Sequence, residues 1–510
     1  MKITLLSTFD RLGGASIAAL RLQRGLRSLG QDSWMLVKQK SSLDPHVRQM
    51  DLAGKKRSRH EDAWRRIEEQ VYEANRTGLS NTRFSLPYPG YDVSGTKIVR
   101  EADIVNLHWV ALFQSVESVS ALLASGKPVV WTLHDQNPFS GGCHYSAGCS
   151  GYMGDCRDCP QLRDPSLQLP AMVLEAKKKF WLGNLTVVTP SRWLADCARR
   201  SSLFGKFRVE VIANSLEHEI YRPHDKGAAR RALGLRPDCL YLLFSSYTSR
   251  EKRKGFAHMI LALQHCLRQE RFRALANANG TAILLLGPCD VELKNLGIPL
   301  HPLGMIMDDE RLALANEAAD VMVIPSEEEN LPNVMLEALA CGTPVAGFAV
   351  GGMPDVVEDG VNGVLAAPGD AAALGEAILS LAFDDERRRR LGENGRRLIE
   401  RNFKLSDQAR NYLGLFEDLR ASAKPQRVPD ADRGGTAVNA VAINLAALVP
   451  DLFRGHRRRP RRTERRAALK KAFSRGGAWA KLVFLLRNSG FRYTCRFVWE
   501  RLTARWGKRH

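Results

Sequence analysis

Short apolar runs alternate with stretches of helical spacing along most of the chain, and this alternation is the strongest constraint on its fold. Ile3–Leu6, Ile104–Leu107, Val129–Leu133, Thr186–Thr189 and Val209–Ile212 read as buried strands in the first half. Leu240–Ser245, Ala282–Leu286, Val321–Ile324 and Pro344–Phe348 play that part in the second, with helices such as Ile17–Leu29 and Leu331–Ala340 between them. Such β-α alternation makes parallel, doubly wound α/β sheets. At 510 residues the chain exceeds one core. Each half has its own strand series, and the polar stretch Asn214 to Arg236 is fit for a linker. We therefore expect two Rossmann-like units, 1–213 and 214–395. A helical segment follows, running from about Gly392 to Ala421, with 396–423 packing back on the body. Residues 424–510 are a basic linker and tail. Residues 41–95 read as a polar insertion, helical near Ala63–Ala74.

The formal charge of +20 looks like a polyanion signal until it is located. From Lys424 onward there are 22 Lys/Arg against 5 Asp/Glu, so +17 lies in the tail and +3 in the body. The longest weakly apolar run, Ala437–Val449, is shorter than the roughly 20 residues a membrane span needs. Ser7, Thr8, Asp10 and Arg11 break the first apolar run too early for a signal peptide. With ten cysteines and no secretory signal, we expect reduced thiols and a cytoplasmic setting.

The chemistry concentrates at Pro325-Ser326-Glu327-Glu328-Glu329-Asn330-Leu331-Pro332-Asn333, where a strand ends, three carboxylates crowd a loop and a helix begins. Ligands of open α/β sheets lie at the carboxyl ends of strands. A helix N-terminus there offers free N–H groups to a diphosphate. Glu337 follows Glu329 by eight residues, so one carboxylate on the loop and one on the helix can bracket a ligand. From charge alone, a solvated acidic turn explains the three glutamates as well.

The segment through Glu337-Ala338-Leu339-Ala340-Cys341-Gly342-Thr343-Pro344-Val345 resembles the E-x7-E signature of the retaining family-4 glycosyltransferases. Gly351-Gly352-Met353-Pro354-Asp355, Gly360-x-Asn362-Gly363 and Gly13-Gly14-Ala15 extend the likeness over roughly residues 1–420. It implies the GT-B fold, two Rossmann-like domains facing a cleft. By resemblance, Glu329 contacts the transferred sugar and Glu337 the ribose of a nucleotide diphosphate sugar. The backbone of Asn330, Leu331, Pro332 and Asn333 would surround sugar and phosphates, and Gly304-Met305-Ile306 would hold the base. Gly13 and Gly14 would approach the donor, and His134 would face its sugar, with Asp135 and His108 as weaker candidates. The family's diphosphate pattern Gly-Arg-x-x-x-x-Lys-Gly is matched by Lys254-Gly255. Thr248 occupies the arginine position, leaving Arg250, Arg253 or neither to supply the second charge.

Cys143, Cys149, Cys156 and Cys159, spaced C-x5-C-x6-C-x2-C in a glycine-rich loop, suit either a structural zinc or buried free thiols. The loop resembles a branch of the same family associated with exopolysaccharide assembly, including colanic-acid type enzymes. In the tail, Cys495, Val498, Trp499, Leu502 and Trp506 share a helical face flanked by arginines. That pattern fits either docking of residues 436–510 on an anionic membrane or a solubilising tail. No nucleic-acid module accompanies the charge.

The sequence thus reads as a hexosyltransferase. It takes a nucleotide diphosphate sugar donor and a glycan or lipid-linked acceptor in surface-polysaccharide synthesis, needs no cofactor for catalysis, and sits peripherally on the inner face of the cell membrane. The rivals are an epimerase or phosphorylase on the same fold, and a non-enzymatic protein binding polyanions or membrane through its tail.

Overall fold

The computed structural model describes residues 1–51, 68, 72–88, 90–164, 168–245, 251–287 and 295–422. Arg250, the stretch 63–67 of the expected insertion helix, and the tail lie outside them. The first unit is a seven-stranded sheet of β1 (Lys2–Phe9), β2 (Asp32–Gln39), β3 (Val47–Gln49), β4 (Ile104–Leu107), β5 (Val129–Thr132), β6 (Leu185–Thr189) and β7 (Arg208–Val211), in the order β3-β2-β1-β4-β5-β6-β7. The second is a six-stranded sheet of β8 (Leu240–Ser245), β9 (Thr281–Leu286), β10 (Leu300–Gly304), β11 (Val321–Ile324), β12 (Val345–Phe348) and β13 (Gly363–Ala366), in the order β10-β9-β8-β11-β12-β13.

Every strand pair is parallel. Strands β4, β5, β6, β9, β11 and β12 are buried at every position, as parallel sheets covered by helices on both faces require. In each sheet the winding direction reverses once, between β1 and β4 in the first and between β8 and β11 in the second. Those two switch points are where such sheets bind ligands. They bring together the loops after β1, β4, β8 and β11.

The helical segment expected from Gly392 to Ala421 is two helices, Asp385–Asn402 and Leu405–Ser422. The break falls where the chain crosses between units. Phe403 packs in the core of the second unit, whereas Ala409, Tyr412, Leu415 and Phe416 pack in the first against Ile3, Leu5 and Leu22. A straight helix cannot serve both cores. At the crossing, Leu216 N–H donates to the Phe403 carbonyl at 3.2 Å, tying the two inter-unit segments together. The last helix then lies along Gly14–Ser28, so close that a side chain at Gly25 would meet the Leu405 carbonyl at 2.8 Å. Tyr412 reaches the first sheet, its hydroxyl 2.9 Å from Thr132 Oγ1.

Candidate functional site

The loop after β11 is fixed from below by glycines. Gly255 has φ +68°, and a Cβ there would sit 1.6 Å from the Pro325 carbonyl oxygen. Gly351 has φ +54° and would meet the Glu329 carbonyl at the same distance. Only glycine permits both the backbone conformation and the approach. Held this way, the three glutamates diverge, each to its own partner. Glu327 pairs with His258 at 3.1 Å. Glu328 crosses to the first unit, where it accepts from the Ala147 N–H at 3.1 Å.

Glu329 turns inward and is buried. It pairs with Lys254, with Arg253 at 3.1 Å, and accepts from the Ser326 hydroxyl at 3.2 Å. Burial alone would raise its pKa. The two cations and the hydrogen bonds outweigh that and hold it at about 2, so Glu329 stays a carboxylate. The loop is not a solvated acidic turn. Arg253 is the described arginine that joins Lys254; its guanidinium carbon also lies 4.0 Å from the centre of the Tyr145 ring.

Glu337 is 2% exposed and lies on the buried face of the helix Asn333–Ala340. Its Oε1 is 3.1 Å from Nη2 of Arg21, on the helix that follows β1. Arg21 also donates from Nε to Glu217 of the inter-unit segment at 2.8 Å, and its guanidinium faces the Tyr221 ring at 5.4 Å. Arg21, the bulkiest of the fully buried side chains, is a residue that the sequence reading missed. Burial pushes the Glu337 pKa up, Glu217 and Asp309 add to that, and Arg21 opposes them. The net direction is upward, so Arg21 is what favours the carboxylate form of Glu337.

Two helix N-termini meet beside these carboxylates. Neither Gly14–Ser28, entered through Gly13, nor Asn333–Ala340, entered through Pro332, has a side-chain cap. They touch where Asn333 Nδ2 donates to the Gly14 carbonyl at 3.0 Å. Leu331 is buried in the core of the second unit, and Asn214 Nδ2 donates to its carbonyl at 3.4 Å. Uncapped N–H groups from both units, with Lys254 and Arg253 nearby, form an electropositive end suited to an anion. At the other margin Gly304 ends β10, Met305 is exposed, and Ile306 packs partly against the core.

His134 follows β5, its Nε2 3.1 Å from Nδ1 of His108, whose Nε2 is 3.0 Å from Asn106 Oδ1. Burial lowers the pKa of His134 to about 4 despite Asp135, and burial with the neighbouring His134 also lowers that of His108. Both rings are neutral at physiological pH. Asn330 Nδ2 donates to the His134 carbonyl at 3.2 Å, while its Oδ1 accepts from Ser191 at 2.6 Å. Asp135 faces elsewhere: its Oδ2 lies 2.6 Å from His144 Nδ1 and accepts from Trp109 Nε1 at 2.8 Å, which anchors the cysteine loop.

That loop bridges the two units through Tyr145, Ser146 and Ala147, against Arg253 and Glu328. None of its four cysteines is in a disulfide. Burial raises the pKa of Cys143, Cys156 and Cys159, that of Cys156 to about 11. Among the described residues no group of three or more His, Cys, Asp or Glu is arranged to hold a metal ion.

Comparison with known proteins gives this geometry a context. Residues 228–398 match the family model described as glycosyl transferases group 1. D-inositol 3-phosphate glycosyltransferase of Xylanimonas cellulosilytica is 34% identical over 221 residues, 41% of this chain and 51% of the relative. D-inositol 3-phosphate glycosyltransferase 2 of Catenulispora acidiphila is 31% identical over 227 residues, 42% of this chain and 52% of the relative. The chain thus spans about half the length of these curated relatives. Among solved structures, sucrose-phosphate synthase from Thermosynechococcus elongatus superposes with a TM-score of 0.57 at 22% identity, over 82% of this chain and 99% of that one. HepE of Anabaena, solved in complex with UDP and glucose, gives 0.54 at 16% identity over 82% and 100%. At such identities the likeness establishes the fold, GT-B, with two Rossmann-like units.

The ion pair between units makes a direct prediction. Replacing Arg21 by Met leaves Glu337 buried without its cation and Glu217 with Arg24 alone, at 3.4 Å, at a cost of about 3–5 kcal/mol. In urea denaturation, Arg21→Met with Glu337→Gln should lose less than the sum of the single changes, because the second removes the charge that the first strands. Strict additivity would mean that the pair does not act as one.

Proposed function

We propose that the chain is a retaining glycosyltransferase that moves a sugar, a hexose by our reading, from a nucleotide diphosphate sugar to an acceptor hydroxyl. The observation that carries this is Glu329, a buried carboxylate fixed between Lys254 and Arg253 where two uncapped helix N-termini converge. The match of residues 228–398 and the names of the relatives support the same reading.

In this proposal the diphosphate lies against the helix starts at Gly13–Gly14 and Leu331–Asn333. There N–H dipoles, Lys254 and Arg253 neutralise the charge that develops as the sugar–phosphate bond breaks. Glu329, unable to take up a proton near neutral pH, accepts hydrogen bonds from the sugar's hydroxyls and orients it. Glu337 accepts from the ribose, and Gly304–Ile306 borders the base. His134 is neutral, so its ring can accept or donate at the sugar without adding charge. The carboxylate nearest the reacting sugar, Glu329, is committed to two cations and is a poor nucleophile. Retention is therefore assigned to attack from the leaving-group side, the diphosphate oxygen taking the acceptor's proton. No cofactor is needed for this chemistry.

For the acceptor we propose a glycan or lipid-linked sugar in surface-polysaccharide synthesis. The names of the relatives point instead to an inositol phosphate, which makes that the second reading. The setting we propose is the cytoplasmic face of the cell membrane, with residues 436–510 on anionic lipid. Among the described residues no helix is long and apolar enough to cross a membrane. A structural zinc on Cys143, Cys149, Cys156 and Cys159 is the alternative to free thiols in the bridging loop. We propose free thiols, which predict well below one zinc per chain by elemental analysis. Stoichiometric zinc would reverse that assignment.

Incubation with UDP- and GDP-sugars and a hydroxyl acceptor should give transfer from at least one donor, with the anomeric configuration kept by NMR. Glu329→Gln keeps the shape but removes the charge. It should cut transfer at least about a hundredfold while nucleoside diphosphate binding falls far less. The depressed pKa of Glu329 stabilises the fold above the ordinary carboxylate range and is lost only as pH falls towards 2. Transfer should accordingly show no acidic limb from this group above pH ~4. Equal activity of the variant would remove Glu329 from the reaction. Deleting residues 436–510 should abolish binding to anionic vesicles and spare transfer to a soluble acceptor; unchanged vesicle binding would end the membrane assignment.

A further inference from the structure

A buried amide without a partner forms part of a pocket in the first unit. Gln114, in the loop after β4, is 4% exposed, and neither its Oε1 nor its Nε2 meets a hydrogen-bonding group. Buried amides are rarely left so, because desolvation is costly when nothing replaces water. The same loop holds Leu112 at φ +66°, a left-handed conformation that non-glycine residues seldom take and that clusters at functional sites.

The pocket has a volume of about 30 Å³. Val119, Trp131 and Trp181 line its buried side, and Trp109 and His134, both partly exposed, line the side towards solvent. The indole N–H groups are already used: Trp131 donates to the His108 carbonyl at 3.1 Å, Trp181 to Val116 at 3.0 Å, and Trp109 to Asp135. These rings therefore offer carbon to an occupant. Lys177, also on the wall, is held by the carbonyls of Asn137 at 2.6 Å and Ser140 at 2.9 Å. Gln114 is the wall group with both hydrogen-bonding atoms open.

Size limits the occupant. About 30 Å³ accommodates on the order of two waters, which is too little for a pyranose ring and enough for one CH2OH arm. The ring bearing that arm would lie at His134, whose carbonyl is bonded to Asn330 of the loop after β11. We propose that this pocket takes the hydroxymethyl arm of a hexopyranose acceptor, its carbon against the indole faces and its hydroxyl on Gln114. The inference rests on the transferase reading and extends it: a hexopyranose carries such an arm, whereas inositol does not.

The test uses the full-length protein and its tryptophan fluorescence, since three indoles line the pocket. The probes are the methyl glycosides of glucose, galactose and mannose, their 6-deoxy counterparts, and inositol. At least one methyl hexoside should give a saturable change, with its 6-deoxy partner and inositol binding at least about tenfold more weakly. Gln114→Met, close in size but without the amide, should abolish that preference and leave nucleoside diphosphate affinity unchanged by calorimetry. Three results would overturn the proposal: no saturable response to any hexoside, equal binding of the 6-deoxy sugars, or a preference that survives in Gln114→Met. The comparison of sugars on the unmodified chain stands even if the variant fails to fold. Hexoside preference without nucleoside diphosphate binding would count against the donor reading and leave the pocket assignment in place.

Discussion

One buried guanidinium joins the two halves of this molecule. Arg21 lies on the helix at the first sheet's switch point, Glu337 on the helix at the second, and Glu217 on the segment between them. Each charge alone would be expensive to bury, and the attraction repays that only when all are in place. The contact requires the helix starts at Gly14 and Asn333 to meet. The same closure that pairs Arg21 with Glu337 therefore brings uncapped N–H groups from both units to one spot. The charge needed for assembly and the dipoles needed for anion binding share a cause in the geometry.

Around that contact, polar groups near the cleft are spent on holding one another. Asn330 ties the loop after β11 to His134 and Ser191, Glu328 ties it to the cysteine loop, and Arg253 stacks on Tyr145. Such cross-links hold the carboxylate of Glu329 between its cations in advance, the preorganisation under which electrostatic stabilisation would be most effective in the proposed transfer. They also give the cysteine loop a mechanical role: its Tyr145 and Ala147 contact the second unit at Arg253 and Glu328.

Much of this was legible in the residues, for local reasons. Predominantly apolar runs such as Val129–Leu133 read as buried strands, and the sequence from Pro325 to Val345 marks a strand-loop-helix junction by its prolines and carboxylates. Strand β2 escaped because only Trp34–Val37 of Asp32–Gln39 is apolar, and β3 and β13 because they are short edge strands. The break at Phe403–Lys404 carries no proline or glycine; it is imposed by two cores the helices serve, which spacing along the chain does not encode. Arg21 was missed for a similar reason. An arginine on an amphipathic helix ordinarily points to solvent, and its partners lie 196 residues and more away. Gln114 likewise reads as an ordinary loop residue until its missing partners are seen.

The account turns on where a donor would lie, and a crystal structure with bound nucleoside diphosphate tests that most directly. It predicts the diphosphate between Gly13–Gly14 and Leu331–Asn333, within reach of Lys254 and Arg253. The ribose should lie on Glu337, whose other contact remains Arg21. A diphosphate bound away from both helix starts, or a ribose that leaves Glu337 untouched, would contradict it.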